Sequence, residues 1–240
     1  MFPIRDNITH KTFPSAAWSL IILNGIIFLF EISIPQDTLQ VVLYKFGLVP
    51  ARYSNPQWAV AHGLPFDYYL SFLTNMFLHG GWVHIIGNMW FLYLFGSGVE
   101  DSLGHWRFLM LYLLSGIAAN VVFFIFSKDK TVPEMGASGA IAGIMGAYFV
   151  MFPRARILTL ILLVFYPIFV EIPAFFYIGY WFILQLFQGT LALSSQAAEG
   201  GVAWWGHVGG FIAGVVLLPI FRPKKISQRR LYPSKTYSYR

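Results

Sequence analysis

A serine and a histidine, two side chains that can act together as nucleophile and base, lie in separate apolar segments of this chain. Ser138 is 16 residues from Arg154, and His207 is 15 residues from Arg222. At about 1.5 Å per helical residue, both side chains lie roughly 22–24 Å from the membrane face that the two arginines would mark. In a hydrocarbon slab of about 30 Å they share one depth, just below the opposite surface. The spacing predicts a Ser–His pair that performs nucleophilic catalysis inside a lipid bilayer.

Ser138 begins a predicted helix, so its backbone N–H is one of the unpaired donors at a helix N-terminus. The helix dipole favours negative charge there, and an oxyanion formed on an attacked carbonyl would be stabilised. The alternative is that the small residues around Ser138, including Gly136 and Gly139, only permit close packing of helices.

His207 begins the last apolar segment and is followed by several glycines, the second of them Gly210. Such a histidine can also be a simple anchor at the level of the lipid headgroups. Gly139 on one predicted helix and Gly210 on the other would let the two backbones approach closely. Close approach is what a hydrogen bond of about 2.6–3.2 Å between serine and imidazole requires, and it favours the catalytic interpretation.

Two further polar residues, His84 and Asn88, are four positions apart and therefore share a helix face. His84 is 16 residues from Glu100, which places it at about the depth of Ser138. Both side chains could complete an oxyanion site, although a polar pair that only joins helices is the alternative. His79 is expected to be a loop residue that supports this group.

No acidic residue is expected near His207 at matching depth. Glu199 is in a loop eight positions earlier, and Glu134 precedes Ser138 by four positions, where an exposed charge is expected. The sequence therefore predicts a Ser–His dyad, with the base positioned by helix packing, rather than a triad.

The composition indicates an integral membrane protein. Of 240 residues, 57% are hydrophobic, 19% aromatic and only 11% charged. There is no cysteine, which excludes disulfides, thiolate metal sites and a cysteine nucleophile. We expect no cofactor and no metal. The net charge of +6 is concentrated in the C-terminal tail, where membrane topology explains it better than nucleic-acid binding.

The hydropathy pattern predicts an all-α polytopic membrane protein with six transmembrane helices in residues 1–222 and a basic cytoplasmic tail in residues 223–240. The expected spans are residues 17–34, 82–103, 106–126, 138–152, 174–193 and 204–221. The fourth span is too short to cross the slab alone, so protein must surround it. Residues 35–81, broken by prolines, are predicted to be a long loop at the membrane interface. Residues 157–173 are predicted to be a buried re-entrant hairpin on the inner side.

The distribution of basic residues predicts the orientation in the membrane. With six spans, 12 Lys and Arg residues lie on the side of the termini and 4 on the other side. The positive-inside rule places both termini in the cytoplasm, most simply in the inner cell membrane. The active site would open to the outer side, with the glycine-rich loop 194–201 as a moving cap.

Three separated motifs in this order resemble those of the rhomboid intramembrane serine proteases. Gly136-Ala-Ser-Gly-Ala-Ile-Ala-Gly143 resembles the nucleophile motif, and His207 with its following glycines resembles the base helix. His79-Gly-Gly-Trp-Val-His-Ile-Ile-Gly-Asn88 resembles the segment that carries a His and an Asn, and Glu100-Asp-Ser-Leu-Gly104 resembles the acidic and glycine turn.

The resemblance implies a six-helix core and a serine endopeptidase that cleaves transmembrane segments of other proteins within the lipid bilayer. It implies Ser138 as nucleophile, His207 as base, and His84, Asn88 and the Ser138 amide as the oxyanion hole. One departure concerns the first loop: where many members carry Trp-Arg before the position of His79, this chain has Leu70-Ser71.

Other functions are less consistent with the sequence. There is no His-Glu-x-x-His motif and no pair of aspartates within spans, which excludes the zinc and aspartyl intramembrane proteases. A non-catalytic protein that binds and escorts client transmembrane helices has no need of the Ser138 and His207 pair. A channel or transporter would show more charged residues or broken repeats within its spans.

Overall fold

The structure is a computed structural model, and it describes residues 1–64, 68–194 and 203–223. Most of the chain is helical. The α-helices are α1 (Ser15–Ser33), α2 (Gln36–Phe46), α3 (Ala51–Ser54), α4 (Pro56–Ala61), α5 (Ser71–Thr74), α6 (Trp82–Leu103), α7 (His105–Phe126), α8 (Ser138–Met151), α9 (Ala174–Ser194) and α10 (Trp204–Phe221), with a short 3₁₀ helix at Asn75–Phe77. Three strands complete the fold: β1 (Phe2–Asp6), β2 (Arg156–Leu163) and β3 (Tyr166–Pro173).

Helix α8 lies at the centre of the bundle, between α7 and α10, and most of its 14 residues are buried. Its contact with α10 has no room for side chains: a Cβ on Gly210 would overlap the Gly139 carbonyl, and a Cβ on Gly214 would overlap Gly143. The prediction that glycines bring these two backbones together is therefore confirmed. Protein surrounds α8, as its short length required.

Within the described residues, four helices are long and apolar enough to cross a membrane: α1, α7, α9 over Ala174–Leu193, and α10. Large apolar side chains on α1 and α9, such as Ile26 and Phe176, are more than half exposed, as expected of surfaces that face lipid. Helix α6 has 22 residues but carries polar groups including Asn88 and Glu100. The count of six spans therefore stays a prediction.

The prediction of an all-α fold is confirmed only in part: the chain is mostly helical, but an antiparallel sheet of order β1-β2-β3 contacts α6 and α9. Residues 157–173 form most of its hairpin, in which Arg156 pairs with Pro173 and Leu163 with Tyr166. The expectation that this hairpin is buried is wrong, because most of β3 is exposed. The segment is rich in β-branched Ile, Val and Thr, which favour strands, and hydropathy alone does not distinguish it from a buried helix.

The first loop, residues 35–81, contains the short helices α2 to α5. Arg52 is fully buried there, and its guanidinium donates to the carbonyl oxygens of Tyr44 at 2.5 Å and Lys45 at 3.2 Å, in the last turn of α2. Ser71 is one of the two residues that stand in place of the Trp-Arg pair of many rhomboid proteases. It is buried and hydrogen-bonded to the Tyr53 hydroxyl. The loop is thus held by internal polar contacts.

The last turn of α6 is hydrogen-bonded to the start of α1. The buried Glu100 carboxylate accepts hydrogen bonds from the backbone N–H groups of Ala16 at 2.8 Å and Ala17 at 2.7 Å. A carboxylate at this position satisfies unpaired donors and complements the helix dipole. Gly104, with φ +82°, then lets the chain reverse into α7.

Candidate active site

Ser138 and His207 meet across the contact between α8 and α10. Ser138 is the first residue of α8, and His207 lies in the first turn of α10. Its Nε2 is 2.7 Å from the Ser138 Oγ, and the imidazole is buried. An unprotonated Nε2 at this distance can accept the hydroxyl proton, which is the arrangement of a base-activated nucleophile.

The other ring nitrogen of His207 contacts a residue of α9. His207 Nδ1 is 2.7 Å from Oε1 of Gln185, a buried side chain whose Nε2 donates to the Trp181 carbonyl at 3.4 Å. An amide oxygen can only accept, so Nδ1 carries the proton and Nε2 is left free to accept one from Ser138. The sequence analysis missed Gln185 because it searched only for acidic partners of the histidine. The available signal was a polar residue within a long apolar segment.

His84 and Asn88 face the same cavity from α6. The Asn88 Nδ2 is buried and has no hydrogen-bond partner among the residues that the structure describes. The Ser138 N–H, at the start of α8, has no intrahelical acceptor, and no side chain of the described residues caps this end. These donors surround the space in front of the Ser138 hydroxyl, where a carbonyl oxygen could be held.

Gly136 lies in the turn that precedes Ser138, next to α6. Its φ is +130°, a conformation that L residues rarely adopt. A Cβ built there would lie 2.7 Å from the His84 imidazole and 3.5 Å from Asn88 Nδ2. Glycine is therefore required both for the backbone turn and for the room that His84 occupies.

A pair of asparagines that the sequence analysis did not identify anchors this turn. The side-chain amides of Asn75 and Asn120 donate to each other at 3.0 and 2.7 Å. The Asn75 carbonyl accepts the Gly136 N–H at 2.8 Å. Helix α7 thus fixes the backbone just before Ser138 through Asn75.

His79 lies behind His84, with the two rings in an edge-to-face contact at 5.2 Å. Its backbone N–H donates to the Glu31 carboxylate at 3.2 Å. Burial, with a smaller effect from His84, lowers the pKa of His79 to about 4, so the ring stays neutral at physiological pH. His79 packs against the candidate oxyanion site without entering it.

A cavity of about 460 Å³ is lined by Ser138, His207, His84 and Asn88, and also by Trp181 and Glu134. Glu134 is half-buried at the cavity wall, so the expectation that it is an exposed charge is wrong. The residue is drawn inward because the backbones of Leu48 and Glu134 are hydrogen-bonded to each other. Burial raises the pKa of Glu134 to about 8, and Lys130 partly offsets this shift. Most of the expected cap, residues 195–201, lies outside the described residues.

Comparison with known proteins identifies the family of this chain. The family model of the Rhomboid domain matches residues 67–224, more than half of the chain. Rhomboid-like protein 11, chloroplastic, of Arabidopsis thaliana is 37% identical over 83 residues, which are 35% of this chain and 29% of that protein. YdcA of Bacillus subtilis is 34% identical over 117 residues, 47% of this chain and 58% of that protein.

A third relative, like YdcA, is named as a rhomboid protease. Rhomboid protease GluP of Bacillus subtilis is 43% identical over 75 residues, which are 31% of this chain and 14% of that protein. The matched segments cover less than two thirds of each of these three relatives. The Rhomboid domain match, together with the motifs gathered around Ser138, shows that the chain belongs to the rhomboid family.

Proposed function

We propose that this membrane protein is a serine endopeptidase that hydrolyses peptide bonds in or near transmembrane segments of other membrane proteins. The observation that carries the proposal is the hydrogen-bonded series from Ser138 Oγ through the His207 imidazole to Gln185 Oε1, with 2.7 Å at each step. If Ser138 and His207 only packed two helices together, the His207 imidazole would not need the Gln185 acceptor at its Nδ1. This hydrogen bond therefore favours the catalytic role.

The first half of the reaction uses groups on α6, α8 and α10. His207 Nε2 takes the proton of the Ser138 hydroxyl as Oγ attacks the substrate carbonyl carbon. The oxyanion that forms is held by the Ser138 N–H, the Asn88 amide and His84. When the tetrahedral intermediate collapses, His207 gives its proton to the leaving amine and an acyl-enzyme remains.

The second half releases the acyl group. Water in the cavity gives a proton to His207 Nε2 and attacks the acyl carbon, and the returning proton restores the Ser138 hydroxyl. Gln185 acts through His207: it holds the ring in one tautomer and orientation and does not touch the reacting atoms. No metal and no cofactor takes part in these steps.

The substrate must present an extended segment to Ser138. A helical peptide keeps its carbonyl groups in hydrogen bonds, so the scissile segment has to unwind first. Phe91 of α6 and Trp181 of α9 line one wall of the cavity. An apolar substrate segment would lie against this wall. We propose that both termini are cytoplasmic and that the cavity opens to the outer side, because with six spans most Lys and Arg residues of the sequence fall on the side of the termini.

The second candidate function is the binding and escort of client helices without cleavage. Cleavage of a single-span substrate in proteoliposomes separates the two functions. Wild type should cut the substrate, while Ser138→Ala and His207→Ala, checked for equal folding, should bind it without cutting. If wild type binds the substrate and never cuts it across lipids and pH, the escort function replaces the protease.

A further inference from the structure

The hairpin of residues 156–173 exposes a run of large apolar side chains. At its tip, Leu162 is 67% exposed, Val164 79%, Phe165 89% and Tyr166 78%. Soluble proteins rarely expose a contiguous group of such large apolar side chains to water. Something other than water must cover the tip.

Both faces of the hairpin are apolar and open. Successive side chains of a strand point to opposite faces, yet Leu162 and Leu163 are 67% and 61% exposed, and Ile168 and Phe169 are 41% and 59% exposed. A flat protein partner would cover one face and leave the other. A lipid phase covers both faces and the tip together.

The chain connects this surface directly to a lipid-facing one. Strand β3 ends at Pro173, and α9, a candidate membrane span, begins at Ala174. The first turn of α9 continues the exposed apolar surface with Phe175 and Phe176. The hairpin therefore leaves the bundle at the level where α9 enters the bilayer.

The charges of the segment lie at its base. Arg156 and Glu171 form an ion pair of 3.8 Å there, next to the exposed Arg154, and the ten residues 161–170 carry no charge. The outer edge of β3 has no neighbouring strand within the described part of the chain. Unpaired backbone groups do not tolerate the hydrocarbon core but can be hydrated among headgroups. This pattern is typical of an element that lies in the membrane interface.

We propose that residues 156–173 form a lipid-docking hairpin that inserts Val164, Phe165 and Tyr166 into the bilayer interface at the end of the bundle opposite Ser138. The hairpin follows the C-terminus of α8, whereas Ser138 is at its N-terminus. Docking would fix the depth and tilt of the bundle, and with them the depth of the cavity. The proposal depends on the membrane location of the protein and not on its catalytic activity.

The experiment uses the absence of native cysteine. Phe165→Cys, labelled with an environment-sensitive nitrobenzoxadiazole dye, is reconstituted in vesicles that contain nitroxide lipids with shallow or deep spin labels. Lys11→Cys, exposed in the N-terminal segment, is the control for water, and Ile183→Cys, 63% exposed on α9, is the control for lipid.

We expect the dye at position 165 to emit at shorter wavelength than at position 11 and to be quenched several-fold more by shallow than by deep nitroxide lipids. Quenching by aqueous iodide to the extent seen at position 11 would overturn the proposal. Protection from both lipid nitroxide and iodide would overturn it in favour of a protein contact, and a disulfide between two unlabelled Phe165→Cys chains would identify that contact as a second copy.

Discussion

Oε1 of Gln185 lies 2.7 Å from Nδ1 of His207, on the opposite side of the imidazole from Ser138. The two residues belong to different helices, α9 and α10, so the orientation of the proposed base depends on the position of α9. Because Trp181, one turn earlier on α9, lines the cavity, the same helix contacts both the base and the space for substrate.

Replacement of Gln185 should alter the base without removing it. Gln185→Leu removes a hydrogen bond worth about 1 kcal/mol, which corresponds to a loss of roughly fivefold in kcat with little change in KM. Gln185→Glu keeps the acceptor and adds a charge that favours the protonated imidazole, so the acid limb of the pH–rate profile should move to higher pH. The check is a full pH profile of cleavage for the three proteins. An unmoved acid limb in the Glu variant would show that Gln185 only packs.

Asn88→Ala should remove a donor to the oxyanion. We expect kcat to fall by about 10²-fold, with KM almost unchanged, because the bond strengthens only as negative charge develops. Asn24→Ala is a matched control, since Asn24 is also a buried amide, on α1, and its Nδ2 donates to the Leu20 carbonyl. Steady-state kinetics on one substrate compares the two. Equal losses in both variants would contradict the assignment of Asn88.

Gly136→Ala should abolish most activity and lower stability. The residue would be forced to φ +130°, at a cost of about 1–3 kcal/mol, and its Cβ would displace His84. Gly25→Ala, where an added Cβ meets nothing within 4 Å, controls for the general effect of adding a methyl group. Thermal unfolding and cleavage are measured on both. A fully active Gly136→Ala protein would mean that His84 does not need its present position.

Part of this site could be predicted from the sequence and part could not. Ser138 and His207 each begin a glycine-rich apolar segment, and the constant rise of a helix gives their depth directly, so their meeting could be anticipated. Gln185 belongs to a third helix whose rotation the sequence does not determine. Glu134 is drawn to the cavity by a bridge to Leu48, a contact 86 residues away in the chain.

The strands show a similar limit. In β2 the buried residues Ile157 and Thr159 alternate with more exposed ones, a period-2 pattern that indicates a strand. Because almost every residue of the segment is apolar, this alternation is not visible in the hydropathy of the sequence. Strand β1 is only five residues long, and its partner β2 lies far away in the sequence. No local sequence signal therefore indicates β1.

Glu134 should make stability depend on pH. Its pKa is raised from its ordinary value of 4.5 to about 8, so the folded protein binds more protons than the unfolded chain between these values. Stability should therefore fall as pH rises through this window, and Glu134→Gln should flatten that part of the profile. Melting temperatures in detergent from pH 5 to pH 9 provide the check. Glu171→Gln, at the exposed base of the hairpin, is the control. Parallel profiles for wild type and Glu134→Gln would contradict the raised pKa of this carboxyl.

The most direct test of the central claim is the reaction of the purified protein with a fluorophosphonate, followed by mass spectrometry of its peptides. An activated serine attacks phosphorus and displaces fluoride, whereas an ordinary serine hydroxyl does not react. We predict one adduct, on Ser138, in wild type, and none in folded His207→Ala. Wild-type protein that is folded and binds a substrate helix, yet carries no adduct on Ser138, would contradict the proposal that Ser138 and His207 form a catalytic pair.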